Sequence, residues 1–350
     1  MQFKICEREI GERNKAFIVA ELSANHNQDF EVAAKTIEAA KKSGADAVKL
    51  QTYTPDTMTL NCDNEFFQID NGTLWDGKTL YQLYQDAQTP WEWHPRLKEI
   101  AEDLDIIFFS TPFDYTAVDF LESMNVPAYK IASFEITDLP LIEYVASKGK
   151  PIIISTGIAN ERDIYNAITT CRNVGNNQIA LLKCSSSYPA QPEDLNLKSI
   201  QYMIKKFNTV VGFSDHTLGI NSAIVAVVLG AKIIEKHLIL DKNISSLDSE
   251  FSCEPAEFNK LVKSVRNVEK SLGTFEYQFT PEMEKNRAFG RSLFAIKDIK
   301  KGDILSEHNI KSIRPGYGIP PKYLKDILGK NALKDIKKGT PLNWDLFNID

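Results

Sequence analysis

The chain has 350 residues, of which 43% are apolar and 25% are charged, and its formal net charge is −6 at pH 7. These values are ordinary for a globular protein of about two domains, and no apolar run reaches the ~18 residues that would cross a membrane. The charged segment 1–15 lacks the apolar centre of a signal peptide, and the five cysteines are scattered without a CxxC pair. We therefore expect a cytoplasmic protein with reduced thiols and no membrane partner.

Strand signals and helix signals alternate along the first 250 residues. Eight short apolar runs read as buried strands, at 16–22, 46–51, 105–111, 127–133, 150–156, 178–186, 208–216 and 231–237. Segments with apolar residues at helical spacing lie between them. This count predicts an α/β fold, a (β/α)8 TIM barrel; an open doubly wound sheet is the alternative, but no GxGxxG motif follows the first strand.

Residues 53–92 interrupt this alternation. The segment is rich in Asn, Asp, Thr and aromatic residues, and it leaves the C-terminal end of the second predicted strand. Long loops at that face of a barrel usually contribute to substrate binding. We expect this one to do so.

The C-terminal part of the chain has a different character. A helix at 257–272 closes the predicted barrel domain (1–272), a polar linker spans 273–286, and residues 287–350 contain the sequence DIKKG twice, 37 residues apart. This duplication predicts a small β-rich, pseudo-symmetric domain. From residue 283 onward there are 14 Lys and Arg against 8 Asp and Glu, so this tail is basic and suggests docking on the acidic remainder or a positive lid over an anionic substrate. No nucleic-acid-binding motif is present, and we expect no nucleic-acid partner.

Polar side chains stand at the end of every predicted barrel strand, where such barrels carry their chemistry. His216 and His237 end consecutive strands and could share a divalent metal ion, although each could also be a hydrogen-bonded structural histidine. Lys49 and Lys130, surrounded by hydroxyl groups, suit a phosphate and a carboxylate, while either lysine alone could be a surface charge. Glu21 is placed either to pair with a lysine or to transfer a proton.

Motifs along the whole chain resemble the sialic acid synthase family. They are FIVAELSANHNQ, DAVKLQTYTPDTMT, STPF, AYKIASFE, STGIA, SSSYPA, GFSDHT, EKH and RPGYGI, and ELSANH with TYTPD is most similar to the pseudaminic acid branch. The duplicated tail resembles the antifreeze-like (SAF) domain that ends these enzymes. The resemblance implies condensation of phosphoenolpyruvate (PEP) with an open-chain acylated amino sugar and water, giving a nine-carbon 2-keto acid and phosphate by C–O cleavage. In the pseudaminic acid branch the sugar is 2,4-diacetamido-2,4,6-trideoxy-L-altropyranose.

The resemblance also implies a role for individual residues. Glu21, His216 and His237 would be catalytic, with the two histidines holding a divalent cation, manganese first and magnesium or cobalt as alternatives. The residues that would bind PEP are Lys49, Thr111, Lys130, Ser133, Ser155, Ser186 and Ser214. Those that would bind the sugar are Gln51, Tyr188, Asp248 and Arg314, the last reaching in from the tail of a second subunit in a domain-swapped homodimer.

Two departures from the family pattern concern the choice of sugar. N-acetylneuraminate synthases usually show EIGINH where this chain has ELSANH, and they carry Asn where this chain has Ser186. The alternative product is therefore N-acetylneuraminate or legionaminate. A 6-deoxy sugar with two acetamido groups calls for a more apolar pocket, which residues 61–75 could provide.

Two further hypotheses belong to different classes of function. A Schiff-base aldolase would use Lys183 as its nucleophile. A catalytically silent sugar-binding protein would use the tail for carbohydrate or partner recognition.

Overall fold

A computed structural model describes residues 2–70, 72, 75–244, 246–274 and 276–348 of the chain. The chain divides into two compact units, Met1–Gly273 and Thr274–Asp350. Residues 274–286, which we predicted as a linker, cluster with the second unit. Over the described residues, no helix is both long enough and apolar enough to cross a membrane.

The first unit is a closed barrel of eight parallel strands preceded by a β-hairpin, so the predicted TIM-barrel architecture is confirmed. Its order around the barrel follows the chain, with the last strand pairing with the first. The hairpin strands are Gln2–Ile5 (β1) and Arg8–Gly11 (β2), and the barrel strands are Phe17–Glu21 (β3), Ala47–Thr52 (β4), Ile107–Pro112 (β5), Tyr129–Ile131 (β6), Ile152–Ser155 (β7), Ile179–Lys183 (β8), Val210–Asp215 (β9) and Ile233–His237 (β10).

The barrel strands are apolar on both faces because both faces are covered. Alternate side chains point inward or outward along each strand. On β10, Ile233 belongs to the cluster that fills the barrel interior, whereas Ile234 packs with the surrounding helices. The hairpin contributes Phe3, Ile5 and Ile10 to the interior cluster, so it plugs one end of the barrel.

Helices follow the strands and cover the outside of the barrel. They span Phe30–Ser43 (α1), Pro55–Met58 (α2), Leu80–Ala87 (α3), Trp93–Asp103 (α4), Tyr115–Ser123 (α5), Leu139–Ser147 (α6), Glu161–Asn173 (α7), Ser199–Phe207 (α8), Asn221–Val228 (α9) and Pro255–Leu272 (α10). The first shows why these segments are helical: Asp29 caps its N-terminus, and Gly44 ends it with a φ of 91° that favours glycine. Two of the short helices, α2 and α3, lie within the long segment 53–92.

The second unit is small and built around the duplicated sequence. It contains Pro281–Arg287 (α11), Ser292–Ala295 (β11), Ile310–Ile313 (β12) and Leu324–Ile327 (α12). The two DIKKG copies pair with each other through an antiparallel bridge between Ile299 and Ile336. Lys300 of the first copy pairs with Asp335 of the second at 2.8 Å, and Lys337 pairs with Asp298 at 3.0 Å. The two copies of the duplicated sequence therefore occupy equivalent positions in this unit.

Candidate active site

Inward-pointing polar residues gather at the C-terminal end of the barrel. They occupy every second position beyond the apolar layer, because side chains on one face of a strand recur with a period of two. On β10, for example, Glu235 and His237 follow the interior residue Ile233 on the same face. The set of predicted residues that ends the strands in this way is Glu21, Lys49, Gln51, Thr111, Lys130, Ser155, Ser214 and His237.

The two predicted metal ligands, His216 and His237, lie beside each other. Strands β9 and β10 are parallel neighbours, and the imidazole centroids are 5.4 Å apart with the rings inclined at 67°. The Nδ1 atom of His216 lies 2.9 Å from the carbonyl oxygen of Ser185. That contact assigns the ring proton to Nδ1 and leaves the Nε2 lone pair available to a ligand, the usual arrangement of a metal-binding histidine.

Both imidazoles are held in their neutral form. Burial lowers the pKa of His216, and burial together with the neighbouring His216 lowers the pKa of His237 well below its usual range. The Nδ1 atom of His237 has no hydrogen-bond partner among the described residues and lies 3.6 Å from a carboxylate oxygen of Asp248. A buried polar atom without a partner is expensive, and a bound cation or substrate would satisfy it.

The donor set fits a metal ion that is only partly coordinated by protein. In the part of the chain that the structure describes, no group of three or more His, Cys, Asp and Glu side chains is arranged to hold a metal. Two neutral imidazoles are consistent with a cation whose remaining positions are open to water and substrate. The residues present therefore fit a catalytic site better than a closed structural one.

A chain of alternating charges lies deeper in the barrel. Lys49 forms an ion pair with Glu21 and lies 3.9 Å from the carboxylate of Glu235, which in turn lies 3.6 Å from Lys130. Lys49 also donates a hydrogen bond to Thr111 at 3.1 Å. All four charged side chains are buried, so their attraction is weakly screened. The predicted surface-charge alternative for the two lysines is wrong.

The environment shifts the pKa values of the two buried carboxyl groups, Glu21 and Glu235, in opposite directions. Burial raises the pKa of Glu21 to about 7, although Lys49 works to lower it. Burial also acts to raise the pKa of Glu235, but Lys130 and Lys49 outweigh it and hold that pKa below its usual value. Glu235 is therefore the permanent anion of the pair, and Glu21 is the group that can exchange a proton near neutral pH.

Hydroxyl groups surround a glycine next to this charge network. A side chain at Gly157 would overlap Ser186 Oγ and would come 2.8 Å from Ser133 Oγ and 2.9 Å from Cys184 Sγ. The Gly157 amide donates to Ser133 Oγ at 3.1 Å, and in the part of the chain that the structure describes Ser186 Oγ is buried without a hydrogen-bond partner. The predicted PEP residues Ser133 and Ser186 thus come together around a backbone position that has no room for a Cβ atom.

A cavity of about 630 Å³ opens above these groups. Its polar lining includes the predicted residues Gln51, Ser133, Ser186, Tyr188, His237 and Asp248. Asp248 is fixed by hydrogen bonds from Ser23 and from the Ala24 amide, and Gln51 donates to Ser23 at 3.0 Å. Arg314, the remaining predicted sugar ligand, lies in the second unit directly after β12.

Most of the apolar side chains that line the cavity come from other segments than the one we expected. Of residues 61–75, only Gly72 and Trp75 are among the described residues that line the cavity, while Asn71, Thr73 and Leu74 lie outside the described residues. Other apolar lining side chains come from several loops and from helices α2 and α3, and they include Met58, Leu83, Ala87, Phe113, Phe134 and Leu247.

Sequence reasoning missed three residues. Glu235 could have been found, because it stands two positions before His237 and therefore shares its face of the strand. Glu135 lines the cavity, burial raises its pKa to about 7, and no described residue forms a hydrogen bond with its Oε2 atom. Gly157 gave no signal that distinguishes it from an ordinary loop glycine.

Lys183, the nucleophile of the aldolase hypothesis, is placed elsewhere. Its Nζ atom donates to the carbonyl oxygen of Cys184 at 3.0 Å, and it is not among the described residues that line the cavity. The geometry therefore does not favour a Schiff-base mechanism at this site.

Comparison with known proteins finds relatives along nearly the whole chain. The NeuB family model matches residues 36–277, and the SAF domain model matches residues 290–348. A pseudaminic acid synthase from Campylobacter jejuni is 49% identical over 94% of this chain and 95% of its own length. A pseudaminic acid synthase from Helicobacter pylori is 51% identical over 94% of this chain and 96% of its own length.

A solved structure agrees with the fold over the full length. The crystal structure of the spore coat polysaccharide biosynthesis protein spsE from Bacillus subtilis superposes with a TM-score of 0.68 at 34% identity, and the match covers 100% of both chains.

Proposed function

The chain belongs to the NeuB family, and we propose that it condenses PEP with open-chain 2,4-diacetamido-2,4,6-trideoxy-L-altropyranose and water to give pseudaminic acid and phosphate. The observation that carries this conclusion is the identity of 49% and 51%, over 94% of the chain, to two pseudaminic acid synthases. The protein is an enzyme, a PEP-dependent transferase that forms a C–C bond.

The buried charge network suits the binding of PEP. Lys49 and Lys130 supply two positive charges, and Thr111, Ser133, Ser155, Ser186 and Ser214 supply hydroxyl donors nearby. Glu235 lies close to both lysines and offsets their mutual repulsion before the anion arrives. A dianionic phosphate and a carboxylate would replace lost hydration with these charge-assisted hydrogen bonds.

The reaction joins C3 of PEP to the aldehyde carbon of the sugar. The electron pair of the enol double bond forms the new C–C bond, the π pair of the aldehyde moves to its oxygen, and C2 becomes electron-poor. Water adds to C2 and gives one proton to balance the new hydroxyl group on the former aldehyde carbon. The C2–O bond to phosphate then breaks as the second proton of that water leaves with phosphate, so the keto oxygen of the product comes from water. Glu21 lies in the network beside Lys49, and its ionised form can stabilise C2 or orient the water.

His216 and His237 would hold a divalent cation, manganese first and magnesium or cobalt as alternatives. Such an ion supplies Lewis acidity to a carbonyl oxygen. The residues themselves do the positioning: the Ser185 carbonyl fixes the orientation of His216, and Asp248 lies beside His237. Gln51, Tyr188 and Asp248 line the cavity next to the imidazoles and would bind the sugar.

We also propose that the active form is a domain-swapped homodimer in which Arg314 of one copy contacts the sugar in the other. The support is the basic character of the tail and the acidic character of the rest of the chain. Large apolar side chains with exposures of 49–64% follow three strands at the mouth of the barrel, namely Phe134, Ile158 and Leu218. A second copy could cover them. We place the reaction in the cytoplasm, where free thiols such as these five persist.

The test is to identify the product by mass. The protein is incubated with PEP, manganese and, separately, the precursors of pseudaminic, legionaminic and N-acetylneuraminic acids. We expect phosphate release and a nine-carbon acid with the pseudaminic precursor. Preferential turnover of another sugar would reassign the substrate, and borohydride trapping of a keto acid on Lys183 would support the aldolase instead.

A further inference from the structure

Two short helices in the segment 53–92 present apolar side chains to the cavity. Leu83, Tyr84 and Ala87 of α3 line it together with Met58 of α2. All four side chains are half-buried, and α3 has no fully buried residue. A surface helix normally packs its apolar stripe against a core. Here the stripe faces the cavity, so a ligand would complete its burial.

This wall is held in place by its own contacts. Thr79 and Gln82 form a capping box at the start of α3. At its other end, the Gln28 side chain donates to the carbonyl oxygens of Asp86 at 3.0 Å and Gln88 at 2.6 Å. The helix is therefore tied to the loop that follows β3, and its apolar face is preorganised for a ligand.

The position of the wall relates it to one end of the sugar. His237 ends β10, and the strand order is β10, β3, β4, so a single strand separates it from the strand that leads into α2 and α3. The cavity reaches from His237 to Leu83 and Ala87. A sugar whose aldehyde carbon lies at His237 would therefore extend its other end across the cavity towards Leu83 and Ala87.

We infer that Met58, Leu83 and Ala87 seat the C6 methyl group of a 6-deoxy sugar and select against sugars with a hydroxyl group at C6. The inference rests on the proposed function and deepens it. Leu83 and Ala87 offer no hydrogen-bonding group and the Met58 thioether is only a weak acceptor, so a C6 hydroxyl would lose water without gaining a strong partner. An apolar pocket of this kind discriminates by about 100-fold, because it disfavours an added hydroxyl without excluding it.

The experiment compares two sugars that differ only at C6. The full-length enzyme is assayed with 2,4-diacetamido-2,4,6-trideoxy-L-altrose and with its 6-hydroxy counterpart, and the ratio of kcat/KM is measured. The variants are Leu83→Gln and Ala87→Ser, which place a hydrogen-bonding group in the wall. Leu83→Met keeps the apolar character, and Gln85→Ala changes an exposed residue of the same helix.

We expect the ratio to fall about tenfold or more in Leu83→Gln and Ala87→Ser. Most of this change should appear in kcat/KM for the 6-hydroxy sugar, while Leu83→Met and Gln85→Ala keep the ratio of the unaltered enzyme. Ala87→Ser adds a single atom, so it tests the inference if Leu83→Gln does not fold. An unchanged ratio in folded variants that still turn over the 6-deoxy sugar overturns the inference alone. An enzyme that uses neither sugar overturns the proposed function and the inference with it.

Discussion

The Oε1 atom of Glu235 lies 3.6 Å from the Nζ atom of Lys130 inside the barrel. The same oxygen lies 3.9 Å from Lys49 and accepts a hydrogen bond from Ser214 at 3.2 Å. One carboxylate therefore organises both lysines proposed to bind PEP. Burial lowers the pKa of Lys130, and Glu235 is the largest influence that keeps this lysine charged.

Replacing Glu235 by Gln should weaken both PEP binding and the fold. Loss of the anion leaves Lys49 paired with Glu21 but removes the ion-pair partner of Lys130, and removal of one partner of a buried pair typically costs about 3–5 kcal/mol. We expect a lower free energy of unfolding in urea and a KM for PEP raised by about tenfold or more. Glu235→Asp, which keeps the charge, is the control; an equal loss in both variants would show that side-chain length matters and charge does not.

Removal of metal should abolish turnover without unfolding the protein. Chelation followed by gel filtration should give an inactive enzyme that recovers when manganese is added, because two neutral imidazoles remain ready to bind it. His216→Ala and His237→Ala should lose both activity and manganese binding measured by calorimetry. His308→Ala, at an exposed position of the second unit, should retain both. Manganese binding that survives loss of both active-site histidines would place the metal elsewhere.

Glu21 should make the protein less stable as the pH rises. Its pKa is about 7 in the folded state, above its ordinary 4.5, so the folded state favours the protonated form. The contribution of Glu21 to the free energy of unfolding is fully present below about pH 4.5. It is lost progressively as the pH rises through about 7, by up to about 3 kcal/mol. The side chain of Glu21→Gln does not ionise and so does not lose stability in this way. The free energy of unfolding of the variant, relative to that of the unaltered protein, should therefore increase between about pH 5 and pH 8.

The same substitution separates an enzyme from a sugar-binding protein. Glu21→Gln and Glu21→Ala should remain folded, bind PEP and lose turnover, because the carboxylate acts on the reacting carbon or its water. Unfolding curves at several pH values and phosphate release together check this expectation. A Glu21 variant with full turnover would remove this residue from the chemistry.

Gly157→Ala should impair PEP binding specifically. The new methyl group would displace Ser186 and Ser133, whose oxygens crowd this position. We expect KM for PEP to rise by about tenfold or more, with a smaller change in KM for the sugar. Arg162→Ala, at an exposed position of the helix that follows this turn, is the control. Equal values of KM for PEP in both variants would contradict the role of this glycine.

The fold followed from features that repeat along the sequence. Eight apolar runs separated by helical segments predicted the barrel, and the duplicated DIKKG sequence predicted a small pseudo-symmetric domain. The structure adds that the two copies pair with each other through Ile299 and Ile336. These patterns can be recognised from the sequence alone because strand and helix periodicity are local properties of the chain. The position of His216 beside His237 followed from one further rule, that parallel neighbouring strands end at the same face.

The rest depended on contacts that no local pattern encodes. Glu235 lies in an apolar strand, and its pairing with Lys49 and Lys130 joins residues more than a hundred positions apart. The apolar wall was expected from residues 61–75, but much of it comes from Met58, Leu83 and Ala87. Which face of a short helix meets a cavity is decided by tertiary packing, which the helical period alone cannot specify.

The most direct measurement follows the bridging oxygen of PEP. PEP labelled with oxygen-18 between C2 and phosphorus is incubated with the enzyme, manganese and the pseudaminic acid precursor, and both products are analysed by mass spectrometry. Cleavage of the C2–O bond predicts that the label leaves with phosphate and that the acid product carries an unlabelled keto oxygen derived from water. Label retained in the acid product, or no acid product at all, would contradict it.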